Sequence, residues 1–268
     1  MNHKQILSAL AAEKLVGALE HDLARLTNWE MLSPKGTIVP HENIQRAVLR
    51  KLLARWKCAL DAPGGDVHPD YKLKVNIALA VLLHKYGFVD EAIGTTAVEA
   101  IDVLNRQVAL SDHFYKNAAP IKALIRSAPQ PLRKRPACPE NFTLWRTGDA
   151  FSYRLDDSIY AFYVHSVSFG NEAPLIEFYD LKLDRRPAVS DLSATPARGG
   201  QYNDGVKRIE KYWLYGMIHY PDLANQFHWV ANIPNAAPSQ KHLAPAVAQG
   251  AVTDLFRLQD VIRRQFPS

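Results

Sequence analysis

Residues 145–180 read WRTGDAFSYRLDDSIYAFYVHSVSFGNEAPLIEFYD, and this stretch decides the fold of the second half of the chain. It holds three short runs of aromatic and β-branched residues, a composition that is typical of strands. Asp156, Asp157 and Ser158 supply turn residues between the first two runs, and residues 169–173 supply them before the third. The stretch therefore predicts an antiparallel meander of three strands.

On the N-terminal side of this stretch the hydrophobic period becomes helical. Apolar residues recur at short, helix-like intervals across residues 3–29 and again across residues 44–60, the spacing that keeps one face of a helix buried. The first pattern predicts one long helix, which residues 33–36 (SPKG) break. A third predicted helix ends at Gly87, and two more patterns follow. Residues 1–128 are therefore predicted to form a small all-helical bundle.

The segment that joins the two halves is rich in proline. Residues 129–141 carry four prolines around the basic run Arg133, Lys134 and Arg135, and proline at this density holds a chain extended, which predicts a linker. Beyond the meander, the pattern from about Thr253 to Phe266 predicts a C-terminal helix. The chain is thus predicted to be an α+β protein with three parts. These are an N-terminal all-helical bundle (1–128), a basic linker (129–141) and a mixed domain with an antiparallel twisted sheet and a C-terminal helix (142–268).

Composition excludes several classes of protein. Hydrophobic residues make up 47% of the chain and charged residues 22%, so it is expected to fold around cores. The net charge of +5 is mild for 268 residues. The N-terminus lacks the apolar run of a secretory signal, and no apolar stretch has the length of a membrane span. Cys58 and Cys138 do not indicate a disulfide framework, so a soluble protein of the reducing cytoplasm, without a membrane partner, is expected.

No catalytic, cofactor or metal motif is recognisable in the residues. The ten histidines include no pair at helical spacing with an intervening glutamate, and the cysteines lack metal-finger spacing, so neither a metal nor a cofactor is expected. His219 and His228 lie in a stretch rich in aromatic residues, where a histidine is more often structural than catalytic. The prediction is therefore that the protein is not an enzyme. A hydrolase that uses His219, His228 and a carboxylate such as Asp222 is one alternative.

Basic residues raise a second alternative, a nucleic-acid-associated protein. The candidates are the linker residues 133–135 and three residues of the second helical pattern, Arg46, Arg50 and Lys57, whose spacing puts positive charge on one side of a helix. A short basic run in a proline-rich linker is usually only solvated, and a charged face opposite an apolar one is what any surface helix shows. Nucleic acid is therefore the less favoured partner.

The residues of the meander also resemble a known family. Trp145 and the basic Arg146 precede a Gly148-Asp149 turn and a strand, a second strand carries aromatic residues and valine over 160–164, and a third ends in an acidic residue near a phenylalanine. In this pattern, residues 144–180 resemble the start of the immunity protein 26 family, bacterial antidotes of polymorphic toxin systems. The resemblance implies a non-catalytic protein that binds one cognate toxin, encoded nearby, and covers its active site.

The sequence also suggests which residues would hold the toxin. Arg185 and Arg186 follow the third strand, and Tyr202 lies in a polar, glycine-bearing loop; arginine and tyrosine on loops are residue types that often dominate interfaces. Because the chain is net positive, a toxin with a neutral or acidic face is expected, unless a local acidic patch reverses that inference. The sequence leaves the oligomeric state open.

Overall fold

A computed structural model describes residues 1–32 and 39–267. The chain divides into two compact units: a helical unit, Met1–Leu53 and Ala59–Pro139, and a sheet unit, Ala54–Cys58 and Glu140–Ser268. Helices fill the N-terminal part, and a sheet and a C-terminal helix follow, so the predicted α+β class is confirmed. None of the described helices combines the length and the apolar character that crossing a bilayer requires.

The described helices of the N-terminal part bury their apolar faces against one another. They are α1 (His3–Ala9), α2 (Glu13–Glu30), α3 (His41–Leu60), α4 (Pro69–Lys85), α5 (Glu91–Arg106), α6 (Asp112–Lys116) and α7 (Ala118–Arg126). Helix α5 begins at the N-cap Asp90, whose carboxylate accepts a hydrogen bond from the Ile93 amide at 3.0 Å. Helix α4 ends before Gly87, which has the left-handed φ of +80° that follows many helices.

The prediction of one long helix over residues 3–29 is wrong. Helix α1 ends at Ala9 and α2 begins at Glu13, and between them Ala11 has a left-handed φ of +47°. The hydrophobic spacing crosses this break unchanged because Leu10 and Leu15 are both buried. Periodicity therefore reports which residues are buried, not whether the backbone between them is continuous. The predicted break at residues 33–36 lies outside the described residues.

The proline-rich segment predicted as a linker makes defined contacts with the helical unit up to Pro139. Asn28 Nδ2 donates to the Pro136 carbonyl at 2.7 Å, and an Arg25 guanidinium nitrogen donates to the Pro139 carbonyl at 3.3 Å. A Cβ at Gly87 would lie 2.7 Å from Pro131 Cα, so glycine lets the segment approach the end of α4. The boundary at residues 129–141 remains a prediction.

The sheet unit contains a mixed six-stranded sheet in the order β7-β1-β2-β3-β6-β8 and a separate two-stranded ribbon, β4-β5. Its described elements are β1 (Asp149–Leu155), β2 (Ser158–Val167), β3 (Pro174–Leu183), α8 (Val189–Ser193), β4 (Gly200–Gln201), β5 (Lys207–Arg208), β6 (Tyr212–Tyr215), β7 (Phe227–Asn232), β8 (Ala251–Asp254) and α9 (Arg257–Gln265). The predicted meander is β1-β2-β3, all antiparallel, with Asp156 and Asp157 at its first turn. The pairing of β6 with β8 is parallel, which the sequence did not predict.

The two faces of this sheet carry different cores. On one face aromatic rings pack in series: Phe151 and Phe162 have centroids 5.8 Å apart, and Phe162 and Phe178 5.9 Å apart. Phe266, which follows α9, packs edge-on against Phe178 at 6.1 Å. The other face buries a smaller cluster around Ala150, Ala161, Tyr163, Tyr179 and Leu192. The aromatic face continues toward the start of β1, where it becomes accessible.

Candidate functional site: an aromatic groove in the sheet unit

A groove of about 600 Å³ lies at the N-terminal end of β1. We call it the aromatic groove, and its lining residues are Leu144, Trp145, Arg146, Thr147, Asp149, Tyr220, Trp229 and Asn232. Tyr220 and Trp229 are each 48% exposed, and Leu144 is 56% exposed. Large apolar side chains are thus presented to solvent around a single concavity, an arrangement that is typical of binding sites.

Backbone geometry at Gly148 forms one wall of the groove. Gly148 has a φ of +89°, and a Cβ there would lie only 2.7 Å from Pro234 Cα, so both the turn and the close approach require glycine. Its amide donates to the Val164 carbonyl at 2.9 Å, and its carbonyl accepts from the Ile233 amide at 2.7 Å. The turn that the sequence predicted at Gly148-Asp149 therefore also fixes the end of β7 beside the start of β1.

A β-bulge places Trp229 in the groove. In the β1-β7 pair Ala150 lies opposite Ala231, but Phe151 lies opposite Trp229, so Val230 is the extra residue. Side chains alternate between the faces of a strand, and the inserted residue therefore moves Trp229 onto the face shared by Asp149 and Phe151. Without the bulge, Trp229 would lie opposite Ser152 and point to the other face.

Asp149 forms the polar base of the groove and is only 7% exposed. Its Oδ1 accepts hydrogen bonds from Trp229 Nε1 at 3.2 Å and Asn232 Nδ2 at 3.0 Å. Its Oδ2 accepts from the backbone amide of Arg146 at 2.7 Å. All three donors are uncharged, and within residues 1–32 and 39–267 no ion pair involves Asp149.

Buried aromatic rings pack against the Tyr220 wall of the groove. Trp145 is buried and stacks on Phe151 with ring centroids 4.1 Å apart, and Tyr220 meets the edge of Phe151 at 6.4 Å. Partial burial raises the pKa of Tyr220 above its ordinary value, and the charge of Asp149 raises it further. The negative charge at the base therefore acts on the wall of the groove.

No protein-family model, no curated protein and no solved structure matches the chain. The resemblance to immunity protein 26 therefore stays a prediction that depends on the residues quoted for it. Five of those residues line the aromatic groove: Leu144, Trp145, Arg146, Thr147 and Asp149. The part of the sequence that carries the resemblance thus also contributes to the aromatic groove.

The three residues predicted to hold a toxin lie in two loops of the sheet unit. Arg185 pairs with Asp191 in a two-pronged ion pair at 2.8 and 3.0 Å, and Arg186 beside it is exposed. The Arg185 guanidinium, together with the Ala188 amide, lowers the pKa of the Asp191 carboxyl to about 2. Tyr202 lies at the tip of the β4-β5 ribbon with the Arg208 guanidinium 5.2 Å above its ring. All three residues are thus partly engaged within the chain, and their assignment stays a prediction.

The residues of the hydrolase alternative have structural partners. Asp222 forms a two-pronged ion pair with Arg55 at 2.7 and 3.1 Å and also accepts the backbone amides of Gln226 and Phe227, each at 3.0 Å. His228 Nε2 lies 3.0 Å from the Asn225 carbonyl. A carboxylate that is neutralised by arginine and held by amides is poorly placed to activate a histidine, so this geometry favours a structural role for Asp222.

The basic residues of the nucleic-acid alternative divide into two groups. Arg46, Arg50, Lys57 and residues 133–135 are exposed, as the pattern predicted. By contrast Arg55, on the same helix, is buried against Asp222. Helix α3 therefore carries both solvent-exposed basic side chains and one buried arginine that forms an ion pair.

Sequence reasoning missed Tyr220, Trp229 and Asn232 as site residues. The stretch that contains the first two was noted for its aromatic content but was interpreted as a setting for His219 and His228. The missing information was the β1-β7 pairing, which joins residues about 80 positions apart, as the Trp229 to Asp149 hydrogen bond does. A tryptophan at an exposed strand position is the one local signal that could have indicated this site.

Proposed function

We propose that this protein is a non-catalytic immunity protein of the bacterial cytoplasm, which binds a cognate toxin and occludes its active site. The observation that carries the proposal is the aromatic groove, where the residues that resemble immunity protein 26 meet two half-exposed aromatic side chains. An immunity protein needs a complementary surface with strong anchor positions, and it needs no catalytic groups of its own. The groove supplies such a surface.

The residue types in the groove are those that dominate protein interfaces. Tryptophan and tyrosine are enriched among interface hot spots, and the groove presents Trp229 and Tyr220 around one concavity. The Tyr220 ring packs against the buried Phe151, and the Trp229 indole is held by its hydrogen bond to Asp149, so little conformational entropy is lost when a partner covers these side chains. Covering apolar surface contributes about 25 cal/mol per Å², which makes these rings the main expected source of affinity.

Co-expression with the toxin domain encoded beside this gene tests the proposal. We expect the protein to protect cells and to form a stoichiometric complex on size-exclusion chromatography. Trp229→Ala and Tyr220→Ala should each weaken the complex by at least about tenfold, as loss of an interface hot spot does. Phe169→Ala is the matched control, because Phe169 is a fully exposed aromatic residue in the turn between β2 and β3. Absence of both protection and a complex would refute the proposal.

The same experiment ranks the surfaces that the sequence suggested. Arg185→Glu combined with Arg186→Glu removes the two loop arginines while leaving the aromatic groove intact. If this double variant weakens the complex and the groove variants do not, the toxin contacts the loop after β3. The reverse result would place the interface at the groove.

A nucleic-acid partner is the second candidate, favoured by the exposed run at residues 133–135 and by exposed Arg46, Arg50 and Lys57. Binding that neutralises several phosphates weakens steeply as salt rises. A gel-shift series over increasing salt, with Arg46→Gln/Arg50→Gln as the variant, tests it. Affinity that does not change with salt, or with these substitutions, would exclude this candidate.

A further inference from the structure

Asp149 places a negative charge at the base of the aromatic groove, and in the described part of the chain it forms no ion pair. A buried carboxylate is normally paired with a cation or metal, since removing a charge from water is costly. Here Asp149 is only 7% exposed, yet its three hydrogen-bond donors are a tryptophan, an asparagine and a backbone amide. Three neutral donors satisfy the hydrogen-bonding capacity of two oxygens only in part, because a carboxylate has about four acceptor sites.

The walls above this carboxylate are also suited to a cation. Tyr220 and Trp229 each expose about half of their surface, and aromatic faces attract ammonium and guanidinium groups, tryptophan most strongly. Leu144, 56% exposed, offers apolar surface of the kind that the methylene stem of a lysine or arginine covers. Aromatic faces, an apolar rim and a buried negative charge together make a site for a long basic side chain.

Arg146 is a cation that lines the groove, but in the described part of the chain it forms no ion pair with Asp149. Arg146 contributes its backbone amide to Asp149, while the residue as a whole is exposed. As an exposed residue that lines the groove, Arg146 carries the same sign of charge as any cation that enters. This position gives a sharp test, because the sign of the effect of removing Arg146 reports the charge of the occupant.

We infer that the aromatic groove receives a basic side chain, arginine or lysine, from the protein partner. The inference rests on the proposed function for the identity of the partner as a toxin, but the chemistry of the groove stands without it. It also supplies the local acidic site that would let a net positive protein bind a basic face. The occupant would lie between Tyr220 and Trp229 with its charge directed toward Asp149.

The first test uses N-acetyl-arginine amide as the probe and N-acetyl-citrulline amide as its neutral isostere. Trp229 Nε1–H donates to Asp149, so its indole resonance in ¹⁵N-labelled protein reports on the base of the groove. That signal is identified among the five tryptophan indoles by its loss in Trp229→Phe. We expect a saturable shift with the arginine probe and none with citrulline. Equal shifts with both probes, or no shift with either, would overturn the inference.

Variants then test the charges one at a time with the same probe. Asp149→Asn keeps the size of the side chain and removes its charge, and it should abolish the shift. If that variant does not fold, Tyr220→Leu replaces it and should weaken binding about threefold, as loss of one cation–π contact does. Arg146→Gln should strengthen binding, because it removes a like charge at the rim. A weaker arginine complex in Arg146→Gln would contradict a cationic occupant. Phe169→Leu, in the exposed turn between β2 and β3, is the control that should change nothing.

The toxin complex separates the two proposals. If the complex forms and Asp149→Asn leaves its Kd unchanged while the variant keeps its fold, the inference fails and the immunity function stands. If the arginine probe binds as expected but no toxin complex forms, the immunity function fails and the cation site stands. A loss of complex in Asp149→Asn with a gain in Arg146→Gln supports both.

Discussion

Two buried aspartates of the sheet unit, Asp222 and Asp149, show how differently one residue type can be used. Asp222 accepts the backbone amides of Gln226 and Phe227, Asp149 accepts that of Arg146, and both lie beside β7, the strand at one edge of the sheet. Asp222 also has Arg55, whose guanidinium reaches both of its oxygens. Among the residues that the structure describes, the donors to Asp149 are neutral: Trp229, Asn232 and the Arg146 amide.

The pKa values of the neighbouring tyrosines, Tyr153 and Tyr220, reflect this difference. Burial raises the pKa of Tyr153 well above its ordinary value, and there the charges of Arg55 and Asp222 act in opposite directions. Burial also raises the pKa of Tyr220, but the nearby charge that adds to it is that of Asp149. The charge of Asp222 is thus balanced by that of Arg55, which suits a structural role. The Asp149 site presents its charge to the groove, which suits binding.

Arg55→Met should have the largest effect. It removes the cation from Asp222 and leaves a buried carboxylate with neutral donors, which is the situation of Asp149. Breaking a buried ion pair from one side costs about 3–5 kcal/mol, and we expect a loss of that size in the free energy of unfolding. Urea denaturation followed by tryptophan fluorescence measures it. Arg55→Met/Asp222→Asn should recover part of the loss. A cost below about 1 kcal/mol, the range of an exposed ion pair, would mean that amides alone compensate Asp222.

Gly148→Val should destabilise the turn that carries Asp149 and leave the Asp222 site unchanged. The substitution forces a β-branched residue to a φ of +89° and places its Cβ 2.7 Å from Pro234 Cα, so we expect about 3 kcal/mol of destabilisation. Gly170→Val is the matched control: its φ is +82°, but the nearest atom to a Cβ lies 3.8 Å away. Thermal unfolding of both variants separates backbone strain from the close approach. Equal losses would show that the contact with Pro234 contributes nothing.

The contrast between the aspartates also marks the limit of sequence reasoning. The meander and its Asp156-Asp157 turn could be predicted because alternation and turn chemistry are local properties. No local pattern separates Arg55 from the exposed cations of the same helix, since its partner Asp222 lies 167 residues away. Asp149 looked like a turn residue, because the bulge that brings Trp229 to it exists only in the paired strands. Contacts over long separations decide which polar residues are buried, and no local pattern encodes them.

Asp149→Asn should cost less than Asp222→Asn, and this difference quantifies the comparison. The amide oxygen can still accept two hydrogen bonds, but its NH₂ group would face one donor, so we expect a loss of about 1–2 kcal/mol. Asp222→Asn leaves the Arg55 guanidinium buried without its counter-charge and should cost about 3 kcal/mol or more. Urea denaturation of the two variants side by side measures the gap. Equal costs would imply that Arg55 adds nothing beyond the amides.

The smallest expected effect, and the most specific, is a change in the ionisation of Tyr220. The charge of Asp149 opposes formation of a second negative charge on the Tyr220 phenol, which is why it adds to the effect of burial in raising that pKa. In Asp149→Asn this repulsion is absent, so the pKa of Tyr220 should fall toward its ordinary value. It should remain above that value, since burial is the larger cause and is unchanged. A pH titration of the tyrosine ¹³Cζ resonances, with Tyr220 assigned through Tyr220→Phe, measures the shift. Asp157→Asn, in the exposed turn after β1, is the control and should leave the titration unchanged. If Asp149→Asn and Asp157→Asn give the same Tyr220 titration, the carboxylate does not project its charge into the groove, and the electrostatic contrast with Asp222 is lost.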